Sequence, residues 1–484
     1  VTGVFAGTFG SSVGAGYLNL SSPDRSSHAR AGEARKRVVL LTGRLRNRRE
    51  LAGELGEPDA GAEDLLSLAF ESWGAAALPR LRGSFALLVW DPDAGTGLLA
   101  VDQLGAGGLY LHESPGRLAF ATEVHELLRI LPRRPPPDPT VLVPWIADGQ
   151  LPRGRTLYEG VRRLEGGHFV RLDRSWWREQ VYWSPRYVTP AEIAREDAVA
   201  RVRAGLTRSV AACIEGADTT GVQVSGGLDS SIVAALAREL APAPPTAYSS
   251  IYPEHPGLDE SRWIERVTGA LELPPETVAI RGGGVLAAAI EYQHAWELPA
   301  ATVMLAFTEP LLRRAAGDGI GVLLDGEGGD EVLGCSEYVV ADRVARLDLR
   351  SAVALARRLP GAGTDPDRHF LRALVREYGV RGAVPHSLHR LLRRVRRRGR
   401  YGPSWLQPSA ARTYVERHDD WAWKRLDGPR SWRYQADLLT AARERLGAFD
   451  LLRHESSLAG VRSAHPLLED VDLVELVLGL PPEL

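Results

Sequence analysis

Residues Ser225-Gly226-Gly227-Leu228-Asp229-Ser230-Ser231 set two glycines, three hydroxyls and one carboxylate between a β-branched run, Thr219 to Val224, and an alanine-rich apolar stretch, Ile232 to Leu240. That composition suits a polyanion. Glycine lets the backbone approach phosphate closely, hydroxyls donate to its oxygens, and a following helix points unpaired amides and the positive end of its dipole at the same place. The Asp229 carboxylate would repel phosphate unless a divalent cation stood between them, so the pattern calls for Mg2+ beside a nucleotide. The plainer reading is a serine-rich turn capping a helix. No lysine follows the glycines, so this is not the loop whose lysine reaches the β- and γ-phosphates.

A second cluster supplies acids. Ile320 to Leu324 reads as a buried strand, followed by Asp325-Gly326-Glu327-Gly328-Gly329-Asp330-Glu331 and an apolar helix start. In open α/β sheets the C-terminal ends of the strands are where ligands bind, and four acids on a glycine-rich turn suit metal and substrate chemistry there. Standing alone, the motif would also fit a solvated acidic turn.

The elements that must position these turns are legible at coarse grain. Residues 1–186 alternate short strands with glycine turns and one helix, Gly61 to Trp73, which predicts an α/β sandwich of packed sheets. Ser184 to Pro190 reads as a linker into a long helix, Ala191 to Glu215. Strands at 219–224, 246–252, 275–280 and 320–324 alternate with helical stretches, the pattern of a parallel sheet, and the last third reads as mostly helical. Two domains are therefore expected, 1–186 and 187–484.

Composition narrows the setting. The formal net charge is −2, and with only Lys36 and Lys424 as lysines, nearly all of the 59 basic residues are arginine. Seven arginines in His389 to Arg400 suggest a solvated helix face or a surface for an acidic partner, while the overall charge balance argues against nucleic acid. Two cysteines, Cys213 and Cys335, cannot build a disulfide framework. With no apolar run near the roughly 18 residues a spanning helix needs, a cytoplasmic chain without integral membrane association is expected.

SGGLDSS followed about a hundred residues later by GEGGDEVLG resembles the synthetase domain of the asparagine synthetase superfamily. Upstream, TGRLRN (42–47), LRGSFALLVWD (81–91), VDQLGAGGLYL (101–111), FATE (120–123) and LEGGHFVRL (164–172) resemble its glutaminase-like domain in order, and AGVRSAHPLLE (459–469) resembles the segment that closes the active site. The resemblance implies an α/β chain. Its first part would be an Ntn-hydrolase-like sandwich, and its second an adenine-nucleotide α-hydrolase-like (ATP-pyrophosphatase) parallel-sheet domain with a helical C-terminal part. It further implies chemistry in which ATP adenylates a carboxylate, pyrophosphate leaves and an amine takes the acyl group.

Departures from the pattern select the branch. Glutamine hydrolysis of this type needs an N-terminal cysteine, where this sequence begins Val1-Thr2-Gly3, and the family's Asn-Gly oxyanion pair is Thr42-Gly43. An inactive glutaminase-like domain is expected, so the amine arrives on the substrate. In the β-lactam-forming branch the place of Glu327 is typically a tyrosine. The glutamate, the Trp176-Trp177 pair and the tryptophan-rich stretch Trp421 to Trp432 resemble more closely the lasso peptide macrolactam cyclases, which join an Asp or Glu side chain of a precursor peptide to its own N-terminal amine. A leader peptidase and a leader-binding protein are the partners this implies. A β-lactam synthetase-like small-molecule cyclase, an asparagine synthetase using free ammonia and a catalytically inactive peptide- or protease-binding scaffold stay open.

On the resemblance, Val224 to Ser231, with Gly326 and Glu327, hold ATP, and Asp229 and Asp330 bind Mg2+. Glu327 orients or deprotonates the amine, with Glu455 beside His454 as a candidate partner acid. Helix-surface placement of both 454 and 455 is the competing expectation. Glu297 falls where the family contacts substrate, or serves merely as a cap. The resemblance also implies a lysine in a C-terminal helix, and neither Lys36 nor Lys424 sits there, so either the sequence is truncated, the favoured expectation, or an arginine does the job.

Overall fold

The computed structural model describes residues 4–12, 15–21, 37–148, 154–174, 176–184, 193–281, 284–300, 304–333, 338–359, 368–384, 388, 404–417 and 446–481. Two antiparallel sheets form the first half. One orders β2 (Ala15–Ser21), β1 (Ala6–Ser12), β7 (Arg117–Ala121), β6 (Tyr110–Ser114) and β8 (Val161–Arg163). The other orders β10 (Trp176–Val181), β9 (His168–Asp173), β5 (Thr96–Val101), β4 (Gly83–Asp91) and β3 (Val38–Leu45).

Strand β4 explains why these sheets must be covered on both sides. Its alternate residues Ala86, Leu88 and Trp90 join Phe9, Leu111, Leu118 and Phe120 of the first sheet in one core. Phe85, Leu87 and Val89 point the other way, onto Leu51 of α1 (Arg48–Leu55) and Leu66 and Phe70 of α2 (Ala62–Trp73). Each such side chain contributes about 1.5–3 kcal/mol when fully buried. The outer face of the first sheet takes Val124 and Leu127 of α3 (Val124–Ile130), completing a helix–sheet–sheet–helix sandwich. Only α2 was expected; α1, α3 and α4 (Pro139–Asp148) are additional.

A parallel sheet follows, ordered β13 (Pro275–Ala279), β12 (Thr246–Ile251), β11 (Thr220–Gln223), β14 (Val322–Leu324) and β15 (Ser463–Ala464). Helices α5 (Arg195–Ile214), α6 (Leu228–Leu240), α7 (Ser261–Ala270), α8 (Val285–Trp296) and α9 (Leu305–Gly317) accompany it. Val222 of β11 pairs in register with Leu324 of β14, so the turns leaving these two strands start side by side. The final third is mostly helical among its described residues, as expected, with the two-residue β15 as the addition. Two residues pairing with Leu323 and Leu324 are enough to bring the segment 459–469 to the same sheet edge.

Polar contacts join the halves. Arg46 reaches Ser209 at 2.8 Å and Glu469 at 2.9 Å, Arg82 binds Asp472 at 2.8 Å, and Trp183 donates to Glu475 at 3.0 Å. Among the described residues no helix is long and apolar enough to cross a membrane. The arginine run, the tryptophan-rich stretch, Cys335 and most of the linker lie outside the described residues.

Candidate active site

The first turn is tighter than its sequence suggests. Helix α6 begins at Leu228, not Ile232, so Asp229, Ser230 and Ser231 stand on its opening turn, and the loop proper is Ser225 to Gly227. Gly226 has a φ of +83°, and a β-carbon there would sit 2.6 Å from the Trp263 β-carbon. Glycine is therefore required both by conformation and by space. Hydroxyls lock the loop. Ser225 Oγ and Ser230 Oγ are 3.0 Å apart, Ser231 Oγ donates to the Gly227 carbonyl at 2.6 Å, and Ser249 Oγ donates to the Val224 carbonyl at 2.6 Å. No side chain caps α6, which leaves its amide end for an outside anion.

The acidic turn folds directly onto that helix start. Gly328 adopts a φ of +94°, and a short helix, α10 (Gly329–Val332), starts immediately after it. A β-carbon on Gly329 would fall inside the Asp229 carboxylate, and one on Gly326 would lie 2.6 Å from the Ser230 amide nitrogen. The two glycine-bearing turns therefore touch through backbone and carboxylate alone. Burial, then the nearby charges of Asp330 and Glu331, raise the pKa of Asp229 above its ordinary value. Carboxylates pressed together in this way favour a cation between them.

Glu327 and Asp330 are exposed, whereas Asp325 and Glu331 are buried. Among the described residues no group of three or more His, Cys, Asp or Glu side chains could hold a metal ion. A pair of carboxylates fits Mg2+ nonetheless, because that ion is commonly held by one or two carboxylates together with substrate phosphates and water.

Some expected residues are placed elsewhere. Glu297 is the left-handed C-cap of α8, with a φ of +57°, and its carboxylate binds Arg134 at 2.6 and 3.1 Å, so the structure places it as a cap. Glu455 lies within the helix Leu446–Ala459, its side chain outside the described set. His454 is not on a helix surface. It is buried between the halves, its ring stacked on Trp296 with centroids 4.0 Å apart. Burial first, then Arg453 nearby, pushes its pKa well down, so the ring is neutral. Nε2–H then donates to Glu123 at 2.7 Å and Nδ1 accepts from the Tyr292 hydroxyl at 2.7 Å. Arg453 pairs with the same Glu123. Thr42 is buried, and Gly43, with a φ of +94°, lies against the Ser84 carbonyl.

Two features escape sequence reasoning. Trp263, half exposed on the loop glycine, carries Arg262 and Arg266 over its ring at 5.5 and 5.0 Å. His465 pairs with Asp325 at 2.8 Å, both buried. His465 and Asp325 each lie in a segment singled out from sequence, but their pairing, like the Trp263 contact, arises between distant segments that no local pattern joins.

Comparison with known proteins agrees with this geometry. The asparagine synthase family model matches residues 201–484, and a glutamine amidotransferase domain model matches residues 15–183. The chain belongs to the asparagine synthase family, with an Ntn-type amidotransferase domain ahead of the parallel sheet. It is 31% identical over 215 residues, 41% of this chain and 33% of the relative, to a Mycobacterium bovis sequence that carries the provisional name of a glutamine-hydrolysing asparagine synthetase. It is 32% identical over 227 residues to the carboxyethyl-arginine beta-lactam-synthase of Streptomyces clavuligerus, covering 46% of this chain and 41% of that one. Against the amidase chry2 of Gibberella zeae the identity is 25% over 419 residues, 78% of this chain and 59% of the relative. The matches thus span about a third to three fifths of these relatives' lengths.

Proposed function

We propose that the chain is an AMP-forming macrolactam cyclase, which activates an Asp or Glu side chain of a precursor peptide with ATP and joins it to that peptide's N-terminal amine. The observation that carries the reading is the approach of Asp229 to Gly329, which sets two carboxylate-bearing, glycine-rich turns against the uncapped start of α6. Ser225 to Ser231 would bind the pyrophosphate end, with Val224, Gly326 and Glu327 completing the nucleotide contacts. Asp229 and Asp330 would hold Mg2+, which supplies positive charge against the triphosphate as the attacking carboxylate nears it.

The bonds balance simply. A substrate carboxylate oxygen bonds to the α-phosphorus as the α–β bridge breaks and pyrophosphate leaves. The amine nitrogen then bonds to the acyl carbon and the bond to AMP breaks; Glu327, which is exposed, would take the ammonium proton. Glu455 remains the candidate partner acid. Thr42 in place of the family's oxyanion asparagine supports an amine that comes with the substrate and not from glutamine. A leader-binding protein and a leader peptidase would present the peptide, in the cytoplasm.

A second reading is a small-molecule β-lactam-forming synthetase, favoured by the match to the Streptomyces clavuligerus enzyme. Incubation with Mg-ATP and linear peptides separates the two. AMP, pyrophosphate and a peptide lighter by one water support the cyclase. ADP release defeats adenylation, and a β-lactam made from a small β-amino acid defeats the peptide branch.

A further inference from the structure

A buried ion pair lies directly beneath the turn that presents Glu327. His465 follows β15, and its Nδ1 stands 2.8 Å from Asp325 Oδ2, the two side chains 5% and 7% exposed. The other Asp325 oxygen accepts the Glu327 amide at 3.1 Å. The His465 carbonyl accepts the amides of Leu468 and Glu469, both at 3.1 Å, so imidazole and Leu468 belong to one rigid turn. Leu468 in turn fills the space under Gly328, where a β-carbon would come within 2.6 Å of the leucine β-carbon. The segment after β15 thus grips the acidic turn twice, by charge at Asp325 and by shape at Gly328.

Burial pulls the imidazole pKa down, but Asp325, Glu469 and Glu327 outweigh it and bring it to about 9, so the ring is a cation at neutral pH. Glu469 is itself bonded to Arg46 at 2.9 Å, which leaves Asp325 as the anion in contact with the ring. Burying such a pair adds little net stability compared with apolar residues of the same volume. Its location one hydrogen bond from the Glu327 backbone gives it a different use.

We infer that His465, acting through Asp325, is a positioning residue that fixes the 325–328 turn and hence the Glu327 carboxylate. This rests on the proposed role of Glu327 toward the amine. His465 is not itself catalytic, since its contacts are to the turn and not to reacting atoms.

The test compares His465→Gln, the double variant Asp325→Asn/His465→Gln, and the parent. The single change keeps a donor but removes the charge, and the double change restores a matched neutral pair. Three readouts separate positioning from mere folding: thermal midpoint, Mg-ATP affinity by calorimetry, and hydrogen exchange at the Glu327 amide. In His465→Gln, amide exchange is expected to rise about tenfold, and because Gly326 and Glu327 also contact the nucleotide the Mg-ATP Kd is expected to weaken by up to about tenfold. With a working substrate, kcat falls about 30- to 100-fold, more than the accompanying change in KM for ATP. The double variant is expected to recover most of the exchange protection and part of kcat. Unchanged exchange at Glu327, or a kcat loss equal to the loss of folded protein, overturns the inference. If the parent turns over none of the candidate substrates, the functional reading fails, while the exchange measurement still decides whether His465 holds the turn.

Discussion

Gly326 is where the two turns meet backbone to backbone, and replacing it with alanine tests the architecture of the site. The added β-carbon would lie 2.6 Å from the Ser230 nitrogen and 2.9 Å from both the Asp229 carbonyl carbon and the Ser230 α-carbon. All three atoms belong to the first turn of α6, so no side-chain rotation relieves the contact. Ordinary contact begins near 3.4 Å, so the turns must part by about 0.8 Å, a strain of roughly 1–3 kcal/mol. The same displacement separates the Asp229 and Asp330 carboxylates, and misplacement on the order of 1 Å costs about a hundredfold in rate. Gly326→Ala should lower the unfolding midpoint by roughly 2–10 °C and weaken Mg-ATP binding about tenfold or more. Gly269→Ala in α7, whose β-carbon would meet nothing within 4 Å, is the control and should leave both unchanged or raise stability slightly. Parental Mg-ATP affinity and midpoint in Gly326→Ala would refute the claim that these turns jointly form the site.

Three other outcomes follow from the charges. The folded His465 pKa of about 9 lies above its unfolded value near 6.5, so its contribution is complete below pH 6.5 and lost as pH rises through 9. That loss is at most about 3 kcal/mol, and His465→Gln should flatten the corresponding part of a urea-stability profile. Asp229 has a raised pKa, so its ionised form opposes folding without a cation. Asp229→Asn should slightly stabilise the metal-free protein and abolish the midpoint increase that Mg-ATP gives the parent. Glu123→Ala strips Arg453 and His454 of their shared acceptor and should cost about 3–5 kcal/mol by urea titration, whereas a loss below about 1 kcal/mol would show that the contact is unimportant.

The sandwich and the parallel sheet were readable because their strands are apolar runs punctuated by glycine. The start of α6 was misjudged by four residues because Asp229, Ser230 and Ser231 look like turn residues, although a helix's opening turn welcomes the same types. Strand β15 is too short to show any periodicity, and its pairing comes from β14, some 140 positions away. Asp325 was visible as one acid among four; its burial under His465 depends on that distant strand. From sequence Glu297 leaned only slightly toward a capping or surface role over a substrate contact, and its left-handed backbone at the end of α8 makes it a cap.

Glu123 of the amidotransferase-like half binds Arg453 and His454, and His454 is itself held by Tyr292 and stacked on Trp296. Severing the chain between the halves would therefore strand a carboxylate on one fragment and, on the other, a guanidinium and an imidazole stacked on an indole, all on freshly wetted faces. Whatever chemistry the sandwich performs, its deletion would be felt as insolubility of the remaining half.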